Sequence, residues 1–372
     1  MLLQFQKLTD EATIVEIETA SNLQRKRICV FCFPNYPSKE TGRGIDKYSY
    51  ELLKGLKQYG LSPMSLKDGV VKNPLQYMVK DTCAFATVLR IEADLYHAVS
   101  ELAAKNMILT KKTLSITTIH DVLALYFHPT APAKYWYQKS CLKLASKSKM
   151  LIATSETTRN LLTNLLKVPA EKVRVVYYGI DHQMFKPTPK IEKEKKTILY
   201  VGSLTRLKGV HVLIEAFKLV QKELKNVELK IGGKCKDNVL IQEVLHQPKI
   251  KTHVKLLGFI KDEELPKYYR SSDVFVWPAY SGISLSVLDA MACGTPVVVN
   301  NAFDTPEYIG EAGVLVETGD AHKLAEALIY VLGNEDVERA YSQKAIKRAE
   351  FFSWEKMVKE TLDLYADVLN KG

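Results

Sequence analysis

The feature that most constrains this chain is a repeated alternation of short apolar runs with helix-period segments. "RKRICVFCFP" (25–34) reads as a buried strand ending at proline, and "IDKYSYELLKGLKQYG" carries apolar residues at helical spacing up to a glycine. "LSITTIHD" (114–121) is a second apolar strand. "KMLIATSETTRNLLTNLL" is strand, Ser/Thr cap and helix, and "EKVRVVYYGID" is a strand that the pattern ends at Gly179. "HQMFKPTPKIEKEKK" (182–196) then breaks both periods with prolines and charges and reads as a linker. The alternation restarts with strands in "TILYVGS", "VELKIGG", "HVKLLGF", "DVFVWPA" and "TPVVVN", separated by helices such as "GVHVLIEAFKLVQKEL" and "SLSVLDAMACG". Three helical stretches close the chain, the last being "SWEKMVKETLDLYADVL".

Strands alternating with helices imply parallel sheets covered on both faces. Two such runs in 372 residues predict an α/β chain of two doubly wound, Rossmann-like domains. The domains expected are 1–188, with 1–24 as an extension, 189–352, and a last helix at 353–372. That helix has an apolar face at Trp354, Met357, Val358, Leu362, Tyr365 and Leu369 that must be buried.

No run of about 18 apolar residues suggests a membrane span. The acidic, interrupted start lacks the features of a secretory signal, so a cytoplasmic protein is expected. The six cysteines are scattered; Cys29 and Cys32 form a CxxC inside an apolar run with no second pair, and read as buried thiols. The net charge of +10 comes from lysines mixed with glutamates, mostly a solvated face. It carries no nucleic-acid-binding signature, and contact of a basic face with the inner side of a membrane stays open.

In doubly wound sheets ligands sit beyond the carboxyl ends of strands, so the loops there are where chemistry is sought. Gly42, Arg43 and Gly44 precede a helix whose free N–H groups suit an anion, though a tight turn explains them equally. His120, at a strand end, suits acid, base or donor work, or caps the next turn. "GSLTRLKG" (202–209) brings Arg206 and Lys208 to a helix start without Walker spacing, which fits a diphosphate or a plain basic surface. Gly232, Gly233 and Gly258 end strands on the same edge. "SGISLSVLDAMACG" (281–294) puts Ser284 at a helix N-cap and leaves the N–H groups of Leu285 and Ser286 for a phosphate, with Asp289 one turn inside, or it is simply a well-packed strand–helix turn.

The order of "GIDKY", "TIHDVLAL", "ATSETTRNLL", "VVYYGIDHQMF", "YVGSLTRLKGVHVLIEAF" and "YSGISLSVLDAMACGTPVVV" resembles the retaining GT-B glycosyltransferases of glycosyltransferase family 4, over about residues 27–368. The resemblance implies a GT-B fold with a central cleft and a last helix returning to the N-terminal domain. It implies transfer of a sugar from a UDP-, GDP- or ADP-linked donor to a glycan, lipid-linked or small-molecule hydroxyl, with retention. Carried over residue by residue, Gly44 lies beside the diphosphate and His120 faces the donor sugar. Lys208 and Arg206 neutralise the leaving phosphate, and Phe259 and Ile260 meet the base near Gly233. The N–H groups following Ser284 hold phosphate, and Asp289 holds the ribose. Two positions depart from the family: Ser281 stands where a glutamate is usual, and Ser203 where arginine is common. Ser281 keeps open a binding protein with lost catalysis, or another GT-B activity such as an epimerase. No DxD pair ends a strand, so no metal and no cofactor beyond the donor is expected.

Overall fold

The computed structural model describes residues 23–32, 44–66, 85–86, 88–126, 132–189, 194–234 and 252–371. Gly42 and Arg43 lie outside them. The chain divides into two compact units: the first takes the residues up to Gly179 together with those from Trp354 on, and the second is Ile180–Ser353.

In the first unit the strands are β1 (Ile28–Phe31), β2 (Met64–Leu66), β3 (Leu95–Ala98), β4 (Ser115–Ile119), β5 (Met150–Ala153) and β6 (Val173–Val175). They form one sheet in the order β2-β1-β3-β4-β5-β6, and every pairing is parallel. The crossovers include helices α1 (Gly44–Gln58), α2 (Glu101–Leu109), α3 (Pro132–Ala145) and α4 (Glu156–Leu166). Capping fixes the starts of two of them: Ser100 accepts from the Ala103 N–H ahead of α2, and Ser155 from the Thr158 N–H ahead of α4.

The second unit holds β7 (Lys196–Val201), β8 (Val227–Gly232), β9 (Val254–Gly258), β10 (Val274–Trp277), β11 (Val297–Asn300) and β12 (Val314–Val316). Among its described residues the helices are α5 (Val210–Glu223), α6 (Leu265–Arg270), α7 (Leu285–Ala292), α8 (Thr305–Ile309), α9 (Ala321–Leu332) and α10 (Glu335–Ala349). The sheet order is β12-β11-β10-β7-β8-β9, again all parallel. The unit's first strand therefore lies in the middle. The chain leaves β7 in one direction through β8 and β9, then returns to add β10 on its other side. That reversal makes β7/β10 the topological switch point, where loops diverge and leave a crevice. β7, β8, β10 and β11 are buried almost throughout, as both-face coverage demands.

The expected boundary at 188/189 moves to 179/180. Proline and charge gave the 182–196 stretch the look of a linker, but its first residues are packed into the second unit. The Phe185 ring lies 6.0 Å from Tyr269, Arg270 donates to the Met184 and Lys186 carbonyls, and His182 bonds the Phe352 carbonyl at 2.8 Å. β6 also ends earlier than expected, at Val175.

The last helix, α11 (Trp354–Asn370), packs within the first unit. Gly55 of α1 lets it approach, since a Cβ there would collide with Val358 Cγ2. At its far end Tyr365 enters a fully buried polar chain. Its hydroxyl bonds His97 Nδ1 at 2.6 Å, His97 Nε2 bonds Thr118 Oγ1 at 2.8 Å, and Thr118 Oγ1 bonds the Tyr48 hydroxyl at 3.1 Å. Four elements (α11, β3, β4 and α1) are tied through groups that would each be costly to bury alone. Arg174 and Asp367 add an exposed ion pair at 2.9 Å.

Gly55→Ala is expected to lower unfolding free energy by about 1–3 kcal/mol, the usual cost of overpacking. Urea denaturation checks it. Val358→Ala introduced into the Gly55→Ala protein should recover part of the loss, because it removes the atoms that collide.

Candidate donor-binding site

At the β7/β10 switch point the two post-strand loops are held close together. Gly202–Gly209 leaves β7 through a short 3-10 turn at Arg206–Lys208, with the Thr205 side chain accepting from the Lys208 N–H. Gly209 closes the turn at φ +71°, and a Cβ there would collide with the Pro278 carbonyl oxygen just beyond β10. Only glycine satisfies both demands. The Tyr280 N–H then donates to the Leu207 carbonyl at 2.9 Å.

This contact brings two residues 73 apart in sequence to one spot. Lys208 Nζ donates to Ser281 Oγ at 2.9 Å, and the same ammonium lies 5.0 Å from the centroid of the Trp277 ring. Ser281 is buried, and its backbone is fixed from the β11 side, where Asn300 Nδ2 donates to its carbonyl at 2.8 Å. Asp304 Oδ1 accepts the Ile283 N–H at 2.8 Å, so the 281–284 turn is braced along its length.

α7 begins directly after this turn. Ser284 is its N-cap, and its hydroxyl accepts from the Ser286 N–H at 3.3 Å. That corrects the expectation that both Leu285 and Ser286 present unpaired N–H groups: the cap's own oxygen meets the second. The Val287 N–H turns back to the Ser284 carbonyl at 3.0 Å. The Leu285 N–H, the first of the helix, has no intrahelical carbonyl in reach of its geometry. The helix thus presents its positive end beside Lys208's loop.

Asp289 lies on the inward side of α7 with 4% of its surface exposed. Burial, and then the nearby charge of Asp289, hold the Tyr269 hydroxyl well above its ordinary range.

The other post-strand glycines lace the same edge together. The Gly202 N–H donates to the Gly232 carbonyl at 3.0 Å and the Gly233 N–H to the Gly258 carbonyl at 2.7 Å. Gly233, at φ +140°, approaches so closely that a Cβ would collide with the Gly202 carbonyl oxygen. Ile260 is buried, with Cδ1 filling the space over Gly232, whereas Phe259 is 40% exposed with Lys234 Nζ 4.5 Å from its ring centroid. Arg206 is exposed, and the Ser203 carbonyl accepts the Tyr200 hydroxyl at 3.0 Å. Among the described residues no group of three or more His, Cys, Asp or Glu side chains is gathered, and no helix is long and apolar enough to cross a membrane.

The remaining candidates belong to the first unit. Gly44 opens α1 and is exposed. His120 follows β4 and is buried. Its Nε2 meets the Val99 carbonyl at 2.7 Å, which fixes the proton there, so Nδ1 accepts from the Tyr178 hydroxyl at 2.9 Å. Tyr178 also stacks on the ring, with centroids 5.8 Å apart, and Tyr48 meets it edge-on at 4.9 Å. Burial pushes His120 down to about 4. Both nitrogens are thus engaged and the ring is neutral at pH 7, a state for orienting groups rather than for shuttling protons.

Residues 181–348 match the family model described as glycosyl transferases group 1, and residues 42–184 match that of glycosyltransferase family 4. The chain belongs to the group 1 glycosyl transferases. This glycosyltransferase is 26% identical to the O-antigen chain mannosyltransferase B of Escherichia coli over 68% of its own length and 70% of that protein's. Two further relatives are matched over 60% and 53% of their lengths. Among solved structures, sucrose-phosphate synthase from Thermosynechococcus elongatus covers 94% of the chain at a TM-score of 0.81 and 19% identity, with all of that chain matched. Anabaena HepE in complex with UDP and glucose covers 91% at 0.72 and 17% identity, with 99% of it matched. These likenesses identify the fold as GT-B.

Both buried histidines of the glycosyltransferase make it acid-sensitive. His97 is pushed down to about 3, by burial first and then by His120. A depressed folded value means stability is fully present above the unfolded value of 6.5 and is lost as pH falls. The urea midpoint is therefore expected to drop between pH 6.5 and 4.5, and less steeply in His120→Asn than in wild type.

Proposed function

We propose that this glycosyltransferase moves a hexosyl group from a nucleoside-diphosphate sugar to an acceptor hydroxyl, with retention of anomeric configuration and without a metal. The observation that carries the reading is the Lys208 ammonium held at the β7/β10 switch point beside the N-terminus of α7. Breaking the bond between the anomeric carbon and the diphosphate oxygen leaves positive charge on the sugar and builds negative charge on the departing phosphate. A lysine ammonium and a helix N–H aimed at that oxygen stabilise the charge as it forms. The same two groups bind the diphosphate product, so nucleoside diphosphate affinity reports on the site directly.

Ribose recognition falls to Asp289, and Phe259 with Ile260 and Gly233 offers the surface for the base. Ser281, with its hydroxyl directed to Lys208, supplies the sugar with no carboxylate, which loosens sugar selectivity. The donor class is drawn from UDP-, GDP- and ADP-sugars: the relatives include a protein named as a mannosyltransferase and a structure containing UDP and glucose. Acceptors of the same chemistry are glycan, lipid-linked and small-molecule hydroxyls. Work on the inner face of a membrane suits a lipid-linked acceptor and the net charge of +10. Ser281 also motivates a second reading, a nucleotide-sugar-binding protein without turnover, which donor hydrolysis separates from the first.

A thermal-shift screen of UDP-, GDP- and ADP-sugars in EDTA names the donor; a shift that appears only with added divalent cation overturns metal independence. Lys208→Ala is expected to cut turnover by about 2–4 kcal/mol of transition-state stabilisation while the protein stays folded. Unchanged turnover removes Lys208 from the site. By isothermal titration, Asp289→Ala should weaken the free nucleoside diphosphate and the whole donor alike, and Ser281→Ala should leave the diphosphate nearly unchanged. Wild-type affinity in Asp289→Ala overturns the ribose assignment.

A further inference from the structure

Lysine is a compact charge on a flexible four-carbon stem, and fixing it for catalysis costs rotamer freedom. In this structure a buried indole contributes to the fixing. Trp277 is the last residue of β10 and 2% exposed, and its ring holds the Lys208 ammonium 5.0 Å from the centroid. The negative face of an indole attracts an ammonium without cancelling its net charge.

The ring is itself held on three sides. Tyr200 of β7 stacks with it at 5.8 Å and an interplanar angle of 12°. Its Nε1 donates to the Gly282 carbonyl at 3.3 Å, in the turn that carries Ser281. Gly202 lies so close that a Cβ would come 2.8 Å from both Trp277 Cζ3 and the Tyr200 hydroxyl. One side chain therefore touches the loop that carries Lys208, the strand before that loop, and the turn before α7.

We propose that Trp277 is a positioning residue for glycosyl transfer: its ring face holds the Lys208 ammonium in the orientation that meets the donor's diphosphate. This rests on the reading of the site given above. Trp277 touches neither sugar nor phosphate in this role; it acts through Lys208.

The test is a double-mutant cycle on nucleoside diphosphate binding by isothermal titration, in which Trp277→Leu removes the π face and Trp277→Phe keeps a smaller one. Trp277→Leu should weaken binding of the diphosphate by about 5- to 30-fold, the span expected of a desolvated cation–π contact, and Trp277→Phe by less. Binding of the nucleoside without phosphates should not change. In a Lys208→Met background the same Trp277→Leu change should cost less than about 2-fold. An equal loss in both backgrounds, or an equal loss for the nucleoside, means Trp277 only supports the fold and overturns the proposal. A second measurement needs no variant at 277. In wild-type protein labelled with ¹³C-lysine, the Lys208 ε-methylene, assigned by its disappearance in Lys208→Met, should be shifted upfield by the indole ring current. An unshifted methylene in a protein that binds the diphosphate overturns the proposal alone. A shifted methylene in a protein that binds no nucleoside diphosphate overturns the functional reading beneath it.

Discussion

The candidate site depends on one close approach, the glycine at 209 against the Pro278 carbonyl. Strand order places β7 beside β10, but adjacency alone leaves their loops free to diverge, as loops at a switch point do. A residue with no Cβ, in a backbone conformation few others adopt, lets the two loops touch. From that touch follow the reach of Lys208 to Ser281, the seating of its ammonium on Trp277, and the direction in which α7 starts. The remaining glycines of the edge, Gly202 and Gly233, repeat the device between β7 and β8.

Much of this was legible in the order of residues, and the part that was not has a common cause. The alternation of strand and helix read the second sheet nearly strand by strand, because β7, β10 and β11 are mostly apolar runs and β8 alternates apolar with charged residues, each with Gly or Pro at one end. Lys208 and Ser281 were each picked out, yet their hydrogen bond was not, since it exists only once β10 returns to the far side of β7. Trp277 gave no signal beyond that of an apolar strand residue, and its role comes from what packs against its ring. β3 was missed because "LYHA" carries a histidine, and only Thr118 and Tyr365 make that histidine affordable in a core. β12, three residues long, is too short to show a period.

The two units handle buried polarity differently. In the first unit a chain of hydroxyls and an imidazole runs through the core and joins elements that are distant in sequence. Every member finds a partner, so the chain specifies a unique packing instead of weakening the core. In the second unit the comparable groups, Asn300, Asp304 and Ser281, gather at the carboxyl edge of the sheet and brace backbone turns. The first arrangement ties elements through the core; the second holds the loops at the carboxyl edge of the sheet in place. His120 stands between these uses, at a strand end like a site residue but bonded on both nitrogens like a core one.

The return of α11 to the first unit has a consequence for how the chain reaches its native state. The second unit is in effect an insertion between Gly179 and Trp354. On a ribosome, that middle segment is complete and able to bury its own sheet while the first sheet still lacks the helix that covers Gly55 and offers Tyr365 to His97. Contacts of such sequence separation pay a large loop-closure entropy, which the prior collapse of the intervening unit shortens. The nascent first unit therefore passes through a stage with an uncovered α1 face and a His97 whose Nδ1 lacks its Tyr365 partner, and it is at this stage that the chain is most open to misassembly and to chaperones.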